Sequence, residues 1–178
     1  TLNNSGTPNN YAGDTVINLG ALSGKSAALN LGAAEQIPHG AGTGNVVINS
    51  NGTGNGTLNL GGFSETINGL SGNGIVEAGG GTPTLTIGEN NATASFSGMI
   101  RNSSGDLTLV KTGTGTQTLS GANTYTGTTT VSAGTLALVG GSQASAVTVS
   151  AGASLGFTLG SPTTSVSTFD FLFKVFAR

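Results

Sequence analysis

Three carboxylates, Glu65, Glu77 and Glu89, recur at intervals of twelve residues. On a solenoid coil of about 24 residues, Glu65 and Glu89 fall on one face, one turn apart. Two carboxyl groups about 5–9 Å apart are the equipment of glycoside hydrolysis. Against that chemistry stands the surrounding composition. The chain has no Trp and only 2 Tyr, so platforms for stacking sugars are scarce. Acidic residues at corners are ordinarily solvated, and no residue is assigned a catalytic role.

The other reactive types are isolated. His39 lies in the turn Ile37-Pro38-His39-Gly40, and with no Cys and no second His it reads as a loop residue, not a metal ligand. Asp14, Asp106 and Asp170 are too scattered along the chain to group around calcium. Gly79-Gly80-Gly81-Thr82 and Gly113-Thr114-Gly115-Thr116 are glycine-rich, but no Lys-Ser/Thr follows, so they read as turns and not as phosphate cradles. No metal and no cofactor is expected. The sequons Asn51-Gly52-Thr53, Asn55-Gly56-Thr57 and Asn91-Ala92-Thr93 are the chance matches of an Asn- and Thr-rich chain. Thr128-Thr129-Thr130 raises another chemistry, because flat threonine arrays order water and bind ice. Such an array needs Thr-x-Thr on the same face of successive coils. The threonine pairs are irregular along this sequence, and ice binding is set aside.

The elements that must position these residues are β-strands. Gly supplies 32 of 178 residues against a usual share of about 7%, and Gly, Thr, Ser and Asn are weak helix formers. Net charge is only −2, and β-branched runs are frequent, which argues against disorder. Five Lys and Arg, widely scattered, cannot neutralise a nucleic-acid backbone. The absence of Cys removes disulfides and thiolate metal sites. No apolar run approaches the ~20 residues of a membrane helix, and Thr1-Leu2-Asn3-Asn4 lacks the basic and apolar regions of a signal peptide.

Alternation of period two marks nine short strands: 15–19, 28–31, 45–49, 57–60, 84–87, 107–110, 135–138, 147–149 and 155–159. The inward set is Ile17, Leu29, Leu31, Val46, Ile48, Leu58, Leu60, Leu85, Ile87, Leu107, Leu109, Leu136, Leu138, Val147, Val149, Leu155, Phe157 and Leu159. Strands this short, with aliphatic rather than aromatic cores and glycine corners, suit a β-solenoid better than a sandwich. Seven to eight rungs would fit. Residues 10–22 also align without gaps on residues 124–136, pairing Tyr11 with Tyr125 and Thr15 with Thr129, which suggests a long tandem unit.

At these residues a family resemblance enters. The stretch Lys111–Leu138, KTGTGTQTLSGANTYTGTTTVSAGTLAL, resembles the autotransporter passenger-associated β-strand repeat. Leu58–Val76 and Gly88–Gly98 resemble the strand-turn pattern found beside it. The resemblance implies an all-β, right-handed parallel β-helix in a large exported surface protein of a Gram-negative-type bacterium. It implies a structural stalk and carries no catalytic residues. The expected organisation is a solenoid over residues 1–160 and a Phe-rich segment over 161–178. In that segment Phe169, Phe171, Phe173 and Phe176 alternate as a final core strand or cap, a strand docking on a neighbouring subunit, or, least suitably, a membrane-barrel signal. The expected function is a non-enzymatic extracellular stalk, adhesive segment or self-assembling filament subunit, its partners further copies of itself or surface polysaccharide. The alternative is a carbohydrate-binding or polysaccharide-cleaving β-helix.

Overall fold

The computed structural model describes residues 9–19, 24–140 and 145–158. They form a three-faced solenoid of short parallel strands, with no helix among the described residues. The longest sheet holds seven strands in the order β1 (Thr15–Ile17), β3 (Val46–Ile48), β6 (Leu70–Gly72), β9 (Ala94–Phe96), β12 (Thr116–Leu119), β14 (Thr135–Val139) and β16 (Ser154–Thr158). A four-stranded sheet holds β2 (Ala27–Asn30), β4 (Gly56–Asn59), β7 (Ile75–Gly79) and β10 (Met99–Ser104). A five-stranded sheet holds β5 (Glu65–Ile67), β8 (Thr84–Ile87), β11 (Thr108–Lys111), β13 (Thr129–Val131) and β15 (Val147–Val149). In the middle of the molecule the chain visits the three sheets in turn and returns to the first, one coil higher.

The class is the expected all-β parallel solenoid, but it makes about five turns, not seven to eight. Coil length varies along the axis, and this accounts for the difference. Thr15 pairs with Val46, a step of 31 residues, because an irregular segment follows β2 in the first coil. Thr135 pairs with Ser154, a step of 19, and among the described residues no strand past β10 joins the four-stranded sheet.

All nine strands expected from alternation are present within a residue or two of their ends. Seven more are not visible as alternation. In β5, β12 and β13 an inward position carries Glu65, Gln117 or Thr129 where an aliphatic residue would mark a strand. β6 ends at Gly72, β7 and β10 are interrupted patterns, and β9 has a single apolar anchor, Phe96.

Inward residues stack in columns that run through the coils. One column is Ile17, Ile48, Gly72, Phe96, Leu119, Leu138 and Phe157, each paired in register with the next. Phe96 is fully buried opposite Gly72, so the missing side chain of one level makes room for the ring of the next. Of the expected inward set, Leu29, Val147, Val149 and Leu155 are only partly buried, and Leu159 lies outside the described residues. Phe157 departs furthest. It is 45% exposed, and among the described residues β16 is the last strand of its sheet, paired with β14. A fully buried Leu or Ile side chain contributes about 1.5–3 kcal/mol, so a continuous column stabilises each coil through its neighbours.

The corner between the seven- and four-stranded sheets is a column of glycines. A Cβ on Gly98 would lie 1.9 Å from the Gly74 carbonyl oxygen, and one on Gly121 would lie 1.8 Å from that of Gly98. Coils therefore approach there at a distance that excludes any side chain.

Candidate functional site

The three carboxylates do not converge. Along the five-stranded sheet Glu65 pairs with Leu85, a step of 20 residues, so Glu89 does not stand above it. Glu77 belongs to β7 on the four-stranded sheet, and Glu89 is exposed in the turn after β8. The expectation of Glu65 and Glu89 on one face fails because the coil here is shorter than 24 residues.

Glu65 instead occupies a core column, in register with Leu85, Leu109, Thr129 and Val147. It is fully buried, and its two oxygens accept hydrogen bonds from the backbone N–H groups of Gln36 and Ile37, both at 2.8 Å. Desolvation raises its pKa from 4.5 to about 7, against the lowering effect of those two N–H donors, and Glu35 adds a smaller upward push. Glu35 reaches the other way, accepting from the Thr66 N–H at 3.3 Å and the Thr66 hydroxyl at 3.1 Å. His39 Nε2 lies 3.0 Å from the Glu35 carboxylate. Asn68, also fully buried, accepts from Gly40 N–H and donates to the carbonyls of Thr43 and Gly44. These side chains fasten the irregular segment 32–44 to β5, which among the described residues has no strand partner on that side.

Other buried polar groups do the same work elsewhere. Lys111 stands in a core column between Ile87 and Val131, and its ammonium donates to the carbonyls of Thr112, Gly113 and Ala133, the last two at 3.0 and 3.3 Å. Burial lowers its pKa. Gln117 lies above Ala94 and bonds both the N–H and the carbonyl of Leu70, at 3.1 and 2.9 Å. Glu77 is paired with Arg101 on the next coil, and its Oε1 is buried with no hydrogen-bond partner among the described residues. Apart from the surface contact of His39 with Glu35, each of these groups binds coil to coil. Among the described residues no three His, Cys, Asp or Glu side chains are grouped to hold a metal. The roles of Lys111, Gln117 and Asn68 carried no sequence signal, because a polar residue at an inward position reads as a broken strand.

The outer face of the five-stranded sheet corrects a second expectation. Register places Thr84 beside Thr108, and the Thr128 carbonyl accepts from Leu109 N–H, which sets Thr128 next in that column. The neighbouring column is Thr66, Thr86, Val110, Thr130 and Thr148. Threonines that are scattered along the chain are therefore gathered into two columns, interrupted by Val110 in one and ended by Ala146 in the other. Steps of 20, 24, 20 and 18 residues, from Glu65 through Leu85, Leu109 and Thr129 to Val147, absorb the irregularity into the loops.

The glycine-rich stretches at 79–82 and 113–116 lie at strand ends and turns. Phe169, Phe171, Phe173, Phe176 and Asp170 lie outside the described residues. The paired segments around Tyr11 and Tyr125 share a local geometry but not a face, since Thr15 begins β1 of the seven-stranded sheet and Thr129 begins β13 of the five-stranded one.

With stacked parallel coils in view, the similarities of the chain can be placed. The model of the passenger-associated-transport-repeat family matches residues 109–138, from β11 to β14. The chain carries a passenger-associated transport repeat. A relative, the adhesin BmaC autotransporter of Brucella suis biovar 1 (strain 1330), is 38% identical over 133 residues. That alignment covers 72% of this chain but only 3% of the relative, so the chain corresponds to a small part of that protein. No solved structure matches. The transport repeat thus spans β11, β12, β13 and β14, where Lys111, Gln117, Tyr125 and Thr129 hold successive coils together.

Proposed function

We propose that the chain is a non-enzymatic, rod-like segment of an adhesive passenger exposed on the surface of a Gram-negative-type bacterium. The observation that carries this reading is the fate of the buried ionisable groups. Glu65, Glu77 and Lys111 are engaged between coils, where they hold the rod together. The similarity to an adhesin autotransporter supports the adhesive part. Stacked backbone hydrogen bonds and apolar columns resist extension, which suits a stalk that carries load.

Beads coated with the chain should attach to a cultured cell monolayer more than beads coated with an unrelated solenoid. Equal attachment would remove the adhesive part of the proposal. Association with further copies belongs to the same reading, supported by edge strands such as β2, which among the described residues pairs with β4 alone. A single monomeric species at high concentration in sedimentation would remove it. Polysaccharide cleavage loses support, since Glu65 is sealed in the core and Glu77 is tied to Arg101.

A further inference from the structure

We infer that the outer face of the five-stranded sheet is an ice-binding surface, built from the threonine columns of β8, β11, β13 and β15. The face is a lattice. Parallel coils stack about 4.8 Å apart, and alternate residues along a strand are about 6.6 Å apart, so Thr84, Thr86, Thr108, Thr128 and Thr130 mark out a rectangular grid. Thr148 extends one column by a coil, where Ala146 takes the place of a threonine in the other. Val110 interrupts the hydroxyls but keeps the branched outline, so the surface stays level.

The chemistry selects the ligand. Each threonine hydroxyl both donates and accepts, and the adjacent methyl excludes loose water. The hydroxyls of Thr84, Thr86, Thr108, Thr128, Thr130 and Thr148 have no hydrogen-bond partner among the described residues, whereas Thr66 is held by Glu35 and Thr129 by Tyr125. Among the described residues no ionisable side chain stands within the grid itself; the Glu35–His39 pair borders it at Thr66, and Asp106 borders it beside Thr126. Among the described residues no aromatic side chain occupies it either, so a sugar ring finds no platform there. What remains is a neutral, repeating partner that presents donors and acceptors in register, which is the surface of a water crystal. The β-branched side chains are stiff at χ1 and stand on a stacked backbone, so little freedom is lost on contact. Such binding is independent of adhesion.

The test uses the whole chain in a growing ice front, with thermal hysteresis measured in parallel. The wild type is expected to enter the ice and to depress the freezing point below the melting point. Thr130→Tyr places a ring above the grid and is expected to abolish both effects. Ser95→Tyr puts the same ring on the exposed outer side of the seven-stranded sheet and is expected to leave them intact. Circular dichroism checks that each variant retains its β-structure, and Thr86→Asp, which adds charge rather than bulk, is the second disrupting variant. Exclusion of the wild type from ice overturns the inference whatever the variants do. Retention of full activity in folded Thr130→Tyr and Thr86→Asp also overturns it, as does equal loss in folded Ser95→Tyr.

Discussion

The Tyr125 hydroxyl lies 2.6 Å from the Thr129 hydroxyl four residues on, and both side chains are fully buried. The same pairing recurs between Tyr11 and Thr15, also at 2.6 Å, but there it is exposed. One local device is thus used twice, closing a corner and starting a strand, and the environment alone separates the two copies. Thr129 also meets the Ser145 hydroxyl at 2.8 Å, so the buried copy ties its coil to the next.

Tyr125→Phe should destabilise the fold by about 1 kcal/mol, the net value of one buried hydrogen bond. Tyr125→Ala should cost about 3–5 kcal/mol through the cavity it leaves. Tyr11→Phe, on the exposed copy, should change stability by less than about 0.5 kcal/mol. Urea unfolding of the three variants checks the ranking.

Gly98→Ala should destabilise by about 1–3 kcal/mol or more, because the new methyl meets the Gly74 carbonyl and the Phe96 ring, neither free to retreat. Gly80→Ala is the control, since a Cβ there meets nothing within 4 Å. Its expected effect is within about 0.5 kcal/mol. Equal midpoints for the two variants would show that the corner is not close-packed.

Gln117→Leu keeps bulk and burial but removes the partners of the Leu70 N–H and carbonyl. Each orphaned group should cost about 1–3 kcal/mol. Hydrogen exchange at Leu70 should accelerate in this variant while exchange at Leu85, on another sheet, changes little.

Stability should depend on pH through Glu65. Its folded pKa, about 7, lies above its ordinary 4.5, so the folded chain holds a proton that the unfolded chain releases. The contribution is fully present below pH 4.5 and is lost as pH rises through about 7, with an upper bound of roughly 3 kcal/mol. Glu65→Gln should flatten that slope in unfolding curves taken from pH 5 to pH 8. An unchanged slope would assign the titration elsewhere.

The sequence by itself determined that the chain is β and that it coils. Alternation at Thr84–Ile87 or Thr135–Val139 is a local property, readable from neighbours two residues apart, and the repeat at 111–138 is local too. Tertiary structure decided what the alternation could not encode. Which coil lies on which depends on loop length, so Glu65 pairs with Leu85 and not with Glu89, and scattered threonines become a grid. Inward polar residues also became legible only then. Glu65, Lys111 and Gln117 are tolerated in core columns because backbone groups of other coils reach them, Gln36 and Ile37 for Glu65, Ala133 for Lys111 and Leu70 for Gln117, and no short window along the chain contains both halves of those bonds.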